Sequence, residues 1–143
     1  MTFIRNAAFC VLAAAALATT NAAPADAGHR SAKAHPSCPA LNAIDPDGDG
    51  AMTLGEAKRA AIKTFMKLNK DGDITLELDE LGGRMSAAAF AQADLIKGRG
   101  ISLGEYLIEV RRRFKWANPD KDHTIECDEL HSKYGRLLAR LLK

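Results

Sequence analysis

Four twelve-residue segments rich in oxygen-bearing side chains recur along this chain, and each of them ends in glutamate. Their first residues lie 24, 25 and 24 positions apart. We name the segments loops 1 to 4 in chain order; they cover residues 45–56, 69–80, 94–105 and 118–129. A fixed internal pattern repeated at this period is typical of a repeat architecture. This repeat constrains the fold and the function of the chain more than any other feature of the sequence.

Loop 1 carries oxygen donors at the spacing that a calcium ion requires. It matches the pattern D-x-[DN]-x-[DN]-G-x5-E at every required position. Ca²⁺ takes six to eight oxygens at about 2.3–2.6 Å without strict directionality, and a glycine at position six permits the sharp turn. The candidate ligands are Asp45, Asp47, Asp49, the carbonyl of Ala51, Thr53 through a water, and Glu56. An ordinary Asp- and Gly-rich surface turn is the alternative, and the complete match within a repeat disfavours it.

These loops resemble the calcium-binding loops of EF-hand proteins. The chain is similar to exported bacterial EF-hand proteins that carry several such loops in close succession, and the resemblance covers about residues 38–142. It implies an all-α fold over residues 38–143, in which EF-hand-like helix–loop–helix repeats are joined by short β pairings between loops. It also implies that the cofactor is Ca²⁺.

Loops 2 and 4 keep oxygens at positions one, three, five, nine and twelve but lack the glycine at position six. Ile74 occupies that position in loop 2, where a left-handed backbone would strain a β-branched side chain by about 1–3 kcal/mol. Either the site is weakened or the loop takes another path. His123 occupies it in loop 4 and tolerates that backbone better, so we interpret it as a turn residue and not as a transition-metal ligand. The candidate ligands are Asn69, Asp71, Asp73, Thr75, Glu77 and Glu80 in loop 2, and Asn118, Asp120, Asp122, Thr124, Glu126 and Glu129 in loop 4.

Loop 3 retains the length of the repeat but has lost most of its ligands. Ile96 and Gly98 stand where carboxylates belong, and Lys97 and Arg99 add positive charge. We predict a structural role for loop 3 and an order of calcium affinity that runs from loop 1 through loop 4 to loop 2.

Position eight of every loop is apolar, occupied in turn by Met52, Leu76, Ile101 and Ile125. In EF-hand proteins this residue forms a short strand that pairs one loop with another, and we expect the same here. The connector of residues 57–68 is shorter than in calmodulin-like pairs, which leaves open whether loop 1 pairs with loop 2.

Helices are predicted between and after the loops. Pro39 to Ile44 forms about one turn, residues 57–68 fill the first connector, and Ser86 caps a helix through Ala93. The longest predicted helix is Leu103 to Ala117. Its apolar stripe opposes three consecutive arginines, Arg111, Arg112 and Arg113. The chain closes with one amphipathic segment that carries Leu130, Tyr134, Leu137, Leu138 and Leu141.

The N-terminal residues predict export. Arg5 and an apolar run precede small residues over residues 1–27, which is typical of a signal peptide and its cleavage region; an uncleaved anchor is the alternative. Residues 28–37 are expected to be a flexible lead-in. The predicted location is periplasmic or secreted. An oxidising compartment favours a disulfide between Cys38 and Cys127, although two cysteines alone leave it open.

Of the 18 acidic residues, 16 lie inside the four loops, so compaction requires cations to offset their mutual repulsion. We therefore expect a calcium-binding protein in which the ion acts as a structural component, a buffer or an extracellular-range sensor. The alternative is a calcium-dependent adaptor that binds a protein or an anionic surface through Arg111, Arg112, Arg113 and Lys115. No nucleophile, acid–base pair or cofactor motif predicts an enzyme. Nucleic acid is not an expected partner, nor is the chain expected to be an integral membrane protein.

Overall fold

The computed structural model describes residues 38–98 and 100–143. The predicted signal peptide and lead-in, as well as Arg99, lie outside these residues. The helices are α1 (Pro39–Asn42), α2 (Leu54–Leu68), α3 (Ala87–Ala93), α4 (Leu103–Ala117), α5 (Cys127–His131) and α6 (Lys133–Ala139). The strands are β1 (Met52–Thr53), β2 (Thr75–Leu76), β3 (Ile101–Ser102) and β4 (Thr124–Ile125). About half of the described residues are helical, which is compatible with the expected all-α class.

The two long helices begin inside the loops because a capping box starts each of them. The Thr53 hydroxyl accepts a hydrogen bond from the backbone of Glu56, whose carboxylate accepts one from the backbone of Thr53. Ser102 and Glu105 make the same pair at the start of α4. The helix predicted over residues 57–68 therefore starts three residues earlier than expected, whereas the predicted bounds of α3 and α4 are confirmed.

The loops pair in a nested order. β1 pairs with β4 antiparallel with Met52 opposite Ile125, and β2 pairs with β3 with Leu76 opposite Ile101. All four of these apolar residues are fully buried. The strands expected at position eight are therefore confirmed. Loop 1 lies beside loop 4 and not beside loop 2, which settles the question that the short connector raised.

Helix α4 is the centre of the core, and α2, α3 and α6 pack against it. Tyr106 of α4 is fully buried, lies edge-on to Phe65 at 5.7 Å between ring centroids, and donates its hydroxyl to the carbonyl of Leu141 at 2.9 Å. Burial raises the pKa of Tyr106 to about 12. This hydrogen bond ties the end of the chain to the central helix.

The C-terminal segment is two helices and not one, because Ser132 ends α5 and caps α6. The turn changes which side chains face the core. Leu130, Leu138 and Leu141 are buried as expected, but Tyr134 is 45% exposed and Leu137 is only half-buried. The prediction that Tyr134 belongs to the core was wrong.

The predicted basic face of α4 is also corrected. Arg113 lies three residues after Val110 and therefore shares its buried face. It is 4% exposed, its Nε lies 2.7 Å from the carboxylate of Glu109, and it donates to the carbonyl of Leu137 at 2.6 Å. Arg112 also pairs with Glu109. The guanidinium of Arg113 is therefore part of the core and is withdrawn from the surface.

A disulfide joins Cys38 to Cys127 with their Cα atoms 5.8 Å apart. The bond that the sequence left open thus links the start of α1 to the start of α5, across 89 positions of the chain. In the chain-entropy model a loop of this length contributes about 4–5 kcal/mol to stability.

The turn between α5 and α6 predicts a strict requirement for glycine at position 135. A Cβ added to Gly135 would overlap the carbonyl oxygen of Glu129 and would lie 2.5 Å from the Cα of Leu130. Because both are backbone atoms, Gly135→Ala must displace α5 or α6, and we expect a loss of about 1–3 kcal/mol in the free energy of unfolding. Denaturant unfolding followed by circular dichroism measures the change.

Gly104→Ala is the matched control, since Gly104 is also helical and the nearest atom to its added Cβ is Ser102 Oγ at 3.9 Å. We expect this substitution to leave stability unchanged or to raise it by up to about 1 kcal/mol. Equal effects of the two substitutions would contradict the close contact at Gly135.

Candidate metal centre in the acidic loops

All four loops turn through a left-handed residue at position four. The φ angles there are 71° for Gly48, 75° for Gly72, 57° for Lys97 and 62° for Lys121. A special backbone at position four was not predicted from the sequence. The glycines of loops 1 and 2 were the available signal, but the lysines of loops 3 and 4 obscured it.

Position six separates loop 2 from loops 1 and 4. Gly50 and His123 have φ angles of 82° and 81°, so loops 1 and 4 share this turn. Ile74 does not have a positive φ, and its side chain is 85% exposed. Of the two outcomes predicted for Ile74, the structure shows the second: loop 2 takes another path and so avoids the strain.

Asp45 organises the backbone of loop 1. It is 6% exposed and accepts hydrogen bonds from the amides of Gly48 at 2.8 Å and Gly50 at 2.9 Å. Burial raises the pKa of Asp45, but hydrogen bonds from Asp47 and from the amides of Gly50, Gly48 and Asp49 outweigh it and hold the pKa below its usual value. This carboxylate is therefore charged at neutral pH and points into the turn.

Three carboxylates of loop 1 converge. Asp45, Asp47 and Glu56 each offer an oxygen, and these oxygens lie within 4.8 Å of one another. The hydrogen bond with Asp45, some loss of hydration, and the charges of Glu56 and Asp49 raise the pKa of Asp47, which is exposed. Two oxygens bound to one calcium ion at about 2.4 Å cannot be more than about 4.8 Å apart. The cluster therefore has dimensions that one hard cation spans.

Asp49 and Thr53, two other candidate ligands of loop 1, make hydrogen bonds within the loop. Asp49 accepts a hydrogen bond from the amide of Ala51 at 3.0 Å, so its carboxylate is not a member of the three-residue cluster. The hydroxyl of Thr53 donates to Glu56 Oε2 at 2.8 Å, and the amide of Thr53 donates to the same oxygen at 2.8 Å. Thr53 thus orients the carboxylate of Glu56, a role that the sequence analysis did not anticipate.

Loop 4 contains a buried oxygen that lacks a partner. Asn118 is 5% exposed, and its Nδ2 donates to the carbonyl of Thr124 at 2.7 Å and to Asp122 Oδ1 at 3.3 Å. Its Oδ1 has no hydrogen-bond partner within the described part of the chain. Rotation of the amide by 180° exchanges its oxygen with its nitrogen. That rotation would place Asn118 Oδ1 beside Asp122 Oδ1 and the carbonyl oxygen of Thr124. A cation favours such a group of three oxygens.

The carboxylates of loop 4 are less closely gathered than those of loop 1. Asp122 accepts hydrogen bonds from the amide and hydroxyl of Thr124, both at 2.9 Å, and these bonds lower its pKa. Burial raises the pKa of Glu129, and the nearby charges of Asp120, Asp122 and Asp128 raise it further against the bond from the amide of Glu126. Asp120 accepts a hydrogen bond from the amide of Asp122 at 3.4 Å.

Loop 2 gathers Asp71, Glu77 and Glu80, with one oxygen of each within 4.8 Å of the others. Burial, the contact with Glu80 and the charge of Asp73 raise the pKa of Glu77. Glu80 Oε1, however, already accepts a hydrogen bond from the backbone amide of Lys70 at 2.8 Å. The remaining candidates also bond within the loop: Asn69 with Gly72 and Asp73, and Thr75 with Asp73.

Loop 3 is closed by a single carboxylate. Glu105 Oε1 accepts hydrogen bonds from the amides of Leu95 at 2.8 Å and Ile96 at 3.0 Å. Glu105 Oε2 accepts hydrogen bonds from the amide of Ser102 at 2.8 Å and from its hydroxyl at 2.7 Å. Burial raises the pKa of Glu105, but these four hydrogen bonds outweigh it and lower the pKa overall. Glu105 thus joins the two ends of loop 3 through four hydrogen bonds.

A further group of potential metal ligands brings together Cys38, Cys127 and His131. The two sulfurs are bonded to each other, so neither is a thiolate that could coordinate a metal. His131 Nδ1 lies 2.7 Å from the carbonyl of Cys127. This group is therefore accounted for by the disulfide.

No protein-family model matches the chain, and no curated protein matches it either. Within residues 38–98 and 100–143, no helix has the length and apolar character needed to cross a membrane.

The hydrogen bonds of Glu105 predict a pH-dependent contribution to stability. Because its pKa is lower in the folded chain than its ordinary value of 4.5, the contribution is present above pH 4.5 and is lost as the pH falls through the folded-state pKa. We expect Glu105→Gln to reduce the free energy of unfolding by about 1–3 kcal/mol at pH 7, since an amide cannot accept all four bonds. The difference from the wild-type chain should shrink below pH 4.5.

Urea unfolding in EDTA across this pH range measures the difference. Asp79→Asn is the control because it also removes a carboxylate, but from an exposed position. A deficit of Glu105→Gln that stays constant down to pH 3 would contradict the role given to the charged form of Glu105.

Proposed function

We propose that this chain is an exported EF-hand-like protein that binds calcium, with loop 1 as its strongest site and loop 4 as its second. The observation that carries the proposal is the convergence of Asp45, Asp47 and Glu56 within 4.8 Å. These oxygens lie beside a turn that Gly48 and Gly50 open through left-handed backbone. The proposal assigns no catalytic role to the chain.

The donor atoms favour calcium over other divalent ions. Loops 1 and 4 offer carboxylate, amide and carbonyl oxygens, which are ligands of hard cations, whereas zinc and copper sites use histidine and cysteine. Ca²⁺ tolerates the irregular geometry that a flexible loop provides. Mg²⁺ requires near-ideal octahedral geometry at about 2.0–2.1 Å and gives up its water reluctantly. We therefore expect selectivity for Ca²⁺ over Mg²⁺.

Cation binding would relieve the repulsion within the loops. The raised pKa of Asp47 reflects its hydrogen bond with Asp45 and nearby negative charge, and that of Glu129 reflects burial and nearby negative charge. A bound divalent ion offsets that charge and adds its binding free energy to folding. At the affinities typical of extracellular modules, about 10⁻⁴–10⁻³ M, the ion would be a structural component at millimolar calcium and a sensor input near threshold.

The proposal predicts a calcium-dependent rise in the thermal midpoint. With 5 mM Ca²⁺ and a Kd of about 0.1–1 mM, each site contributes about 1–2 kcal/mol. Mg²⁺ at the same concentration should have little effect, and EDTA should reverse the rise. Isothermal titration calorimetry should report two sites in the wild-type chain, one fewer in Glu56→Gln and one fewer in Glu129→Gln.

Asp79→Asn is again the control, since it removes one negative charge from loop 2 without touching either site. It should leave both sites in place. Equal melting curves in Ca²⁺ and EDTA, with no heat of binding, would refute the proposal.

A second candidate, binding of an anionic surface, is supported by one cavity. Arg111, Lys115, Lys121 and His123 line an open cavity of about 500 Å³ that also borders Asn118. The cavity brings α4 and loop 4 together, so calcium in loop 4 would order two of these basic residues. Burial of Arg113 weakens the candidate because it removes one charge from the face.

If this candidate is correct, vesicles that contain phosphatidylserine should bind the chain in calcium and release it in high salt. Arg111→Glu combined with Lys115→Glu should abolish sedimentation with these vesicles, whereas Lys58→Glu combined with Lys63→Glu, on α2, should not. Equal losses in the two pairs would indicate a nonspecific charge effect and would contradict the candidate.

A further inference from the structure

The side chains of Cys38, Cys127 and His131 meet at one point of the fold. One ligand atom of each lies within 4.8 Å of the ligand atoms of the other two. Cys127 and His131 lie four positions apart on α5, which places their side chains on the same face of that helix. Cys38 joins them from the start of α1 through the disulfide. While the two sulfurs are bonded to each other, neither can coordinate a metal.

The spacing of the two ligand atoms on α5 fits a tetrahedral metal centre. His131 Nδ1 lies 3.5 Å from Cys127 Sγ. Zinc binds sulfur at about 2.3 Å and imidazole nitrogen at about 2.0–2.1 Å, so a tetrahedral angle separates these ligands by about 3.6 Å. After reduction the two sulfurs need to separate from about 2.05 Å to about 3.8 Å. Rotation about the Cα–Cβ bonds of the two cysteines can provide this change.

The chain around the disulfide is held in place by contacts that do not depend on the bond. Loop 1 follows α1 and loop 4 leads into α5, and strands β1 and β4 of these two loops pair with each other. Leu41 of α1 is 1% exposed and Leu130 of α5 is 2% exposed, so both helices are anchored in the core. We therefore expect Cys38 to remain beside Cys127 in the reduced chain.

The donor atoms of this group suit a thiophilic ion. Thiolate and imidazole are ligands of Zn²⁺ and Cu⁺, whereas Ca²⁺ prefers carboxylate and carbonyl oxygens. Cys38 is 4% exposed, Cys127 is half-buried and His131 is exposed, so an ion has access from the side of the imidazole. His131 Nδ1 lies 2.7 Å from the carbonyl oxygen of Cys127, and transfer of the ring proton to Nε2 frees Nδ1 for the ion.

We propose that Cys38, Cys127 and His131 form a redox-gated site for one thiophilic metal ion such as Zn²⁺. A dithiol reductant gives two electrons and two protons to the disulfide, so both cysteines become thiols and the reductant becomes a disulfide. The ion then binds the two sulfurs and His131 Nδ1, and the two thiol protons pass to water. Exchange with an oxidised partner disulfide returns the two electrons to that partner, which takes up two protons from water. The bond between Cys38 and Cys127 reforms and the ion is released.

Titration of the full chain with Co²⁺, a spectroscopic substitute for Zn²⁺, tests the proposal. A phosphine keeps the chain reduced, and saturating CaCl₂ competes with Co²⁺ for the oxygen-rich loops. We expect one Co²⁺ per chain to produce a thiolate-to-cobalt charge-transfer band together with the intense visible bands of a tetrahedral centre. Zn²⁺ should remove these bands, and the oxidised chain should not show them. Co²⁺ bound by oxygens alone gives no thiolate band.

Two variants of α5 test the role of the imidazole. His131→Ala removes the nitrogen ligand and should weaken Co²⁺ binding by about tenfold or more. Asp128→Asn is the control, because it removes an exposed carboxylate from the same helix and leaves the three ligands in place. It should titrate like the wild-type chain. Equal Co²⁺ affinities of His131→Ala and the wild-type chain would overturn the three-ligand site.

Alkylation of the reduced chain provides a second measure. Zn²⁺ should slow the reaction of Cys38 and Cys127 with iodoacetamide about tenfold or more, because a metal-bound thiolate is a weaker nucleophile than a free one. Peptide mapping by mass spectrometry distinguishes these two cysteines from Cys10. Equal rates of alkylation with and without Zn²⁺ would contradict the proposal.

The outcomes are independent of the proposed calcium function. Absence of the thiolate band from the reduced chain overturns the metal site, even if circular dichroism shows that chain unfolded, since binding of the ion would favour the folded state. A chain that binds Ca²⁺ but lacks the band keeps only the proposed function. A chain that shows the band but no heat of binding with Ca²⁺ keeps only the metal site.

Discussion

Each loop depends on the contacts of the glutamate at its position twelve, because one carboxylate belongs both to the loop and to the start of the helix or turn that follows. The carboxylates of Glu56 and Glu105 each accept a hydrogen bond from the backbone amide of the N-cap residue, Thr53 or Ser102. These bonds fix where α2 and α4 begin. The other oxygen of Glu105 accepts hydrogen bonds from two backbone amides at the start of loop 3. In loop 1, one carboxylate oxygen of Glu56 lies within 4.8 Å of oxygens of Asp45 and Asp47. The same residue type therefore bonds to the backbone at the start of loop 3 and belongs to a cluster of carboxylates in loop 1.

Nested pairing of the strands gives loop 3 a place in the fold. Loop 3 supplies β3, which pairs with β2, and the approach is so close that a Cβ at Gly100 would lie 2.5 Å from the carbonyl oxygen of Leu76. Ile101 is fully buried in the core. Loss of loop 3 would expose Leu76 and leave β2 without its partner. The loop is thus needed for packing whether or not any loop binds a metal.

The buried ion pair of α4 illustrates the limit of reasoning from pattern alone. Three consecutive arginines suggest an exposed basic face, yet Arg113 and Glu109 are each less than 5% exposed. A helix has 3.6 residues per turn, so three consecutive residues cannot all lie on one face. The partner that makes burial of Arg113 tolerable is Glu109, one turn earlier, together with a carbonyl of α6. The second of these is supplied by an element that lies 24 positions further along the chain.

Local signals in the sequence were sufficient to predict where the loops lie, where the strands at position eight form, and where helices α3 and α4 begin and end. Each of these depends on residues within a few positions of one another: an N-cap, an apolar residue or a run of helix formers. The tertiary structure alone decided that loop 1 lies beside loop 4, that Cys38 bonds to Cys127, and that the last helix is broken at Ser132. It also decided that the amide of Lys70 reaches Glu80, because a hydrogen bond across ten positions depends on the path of the folded loop and not on the identity of the neighbouring residues.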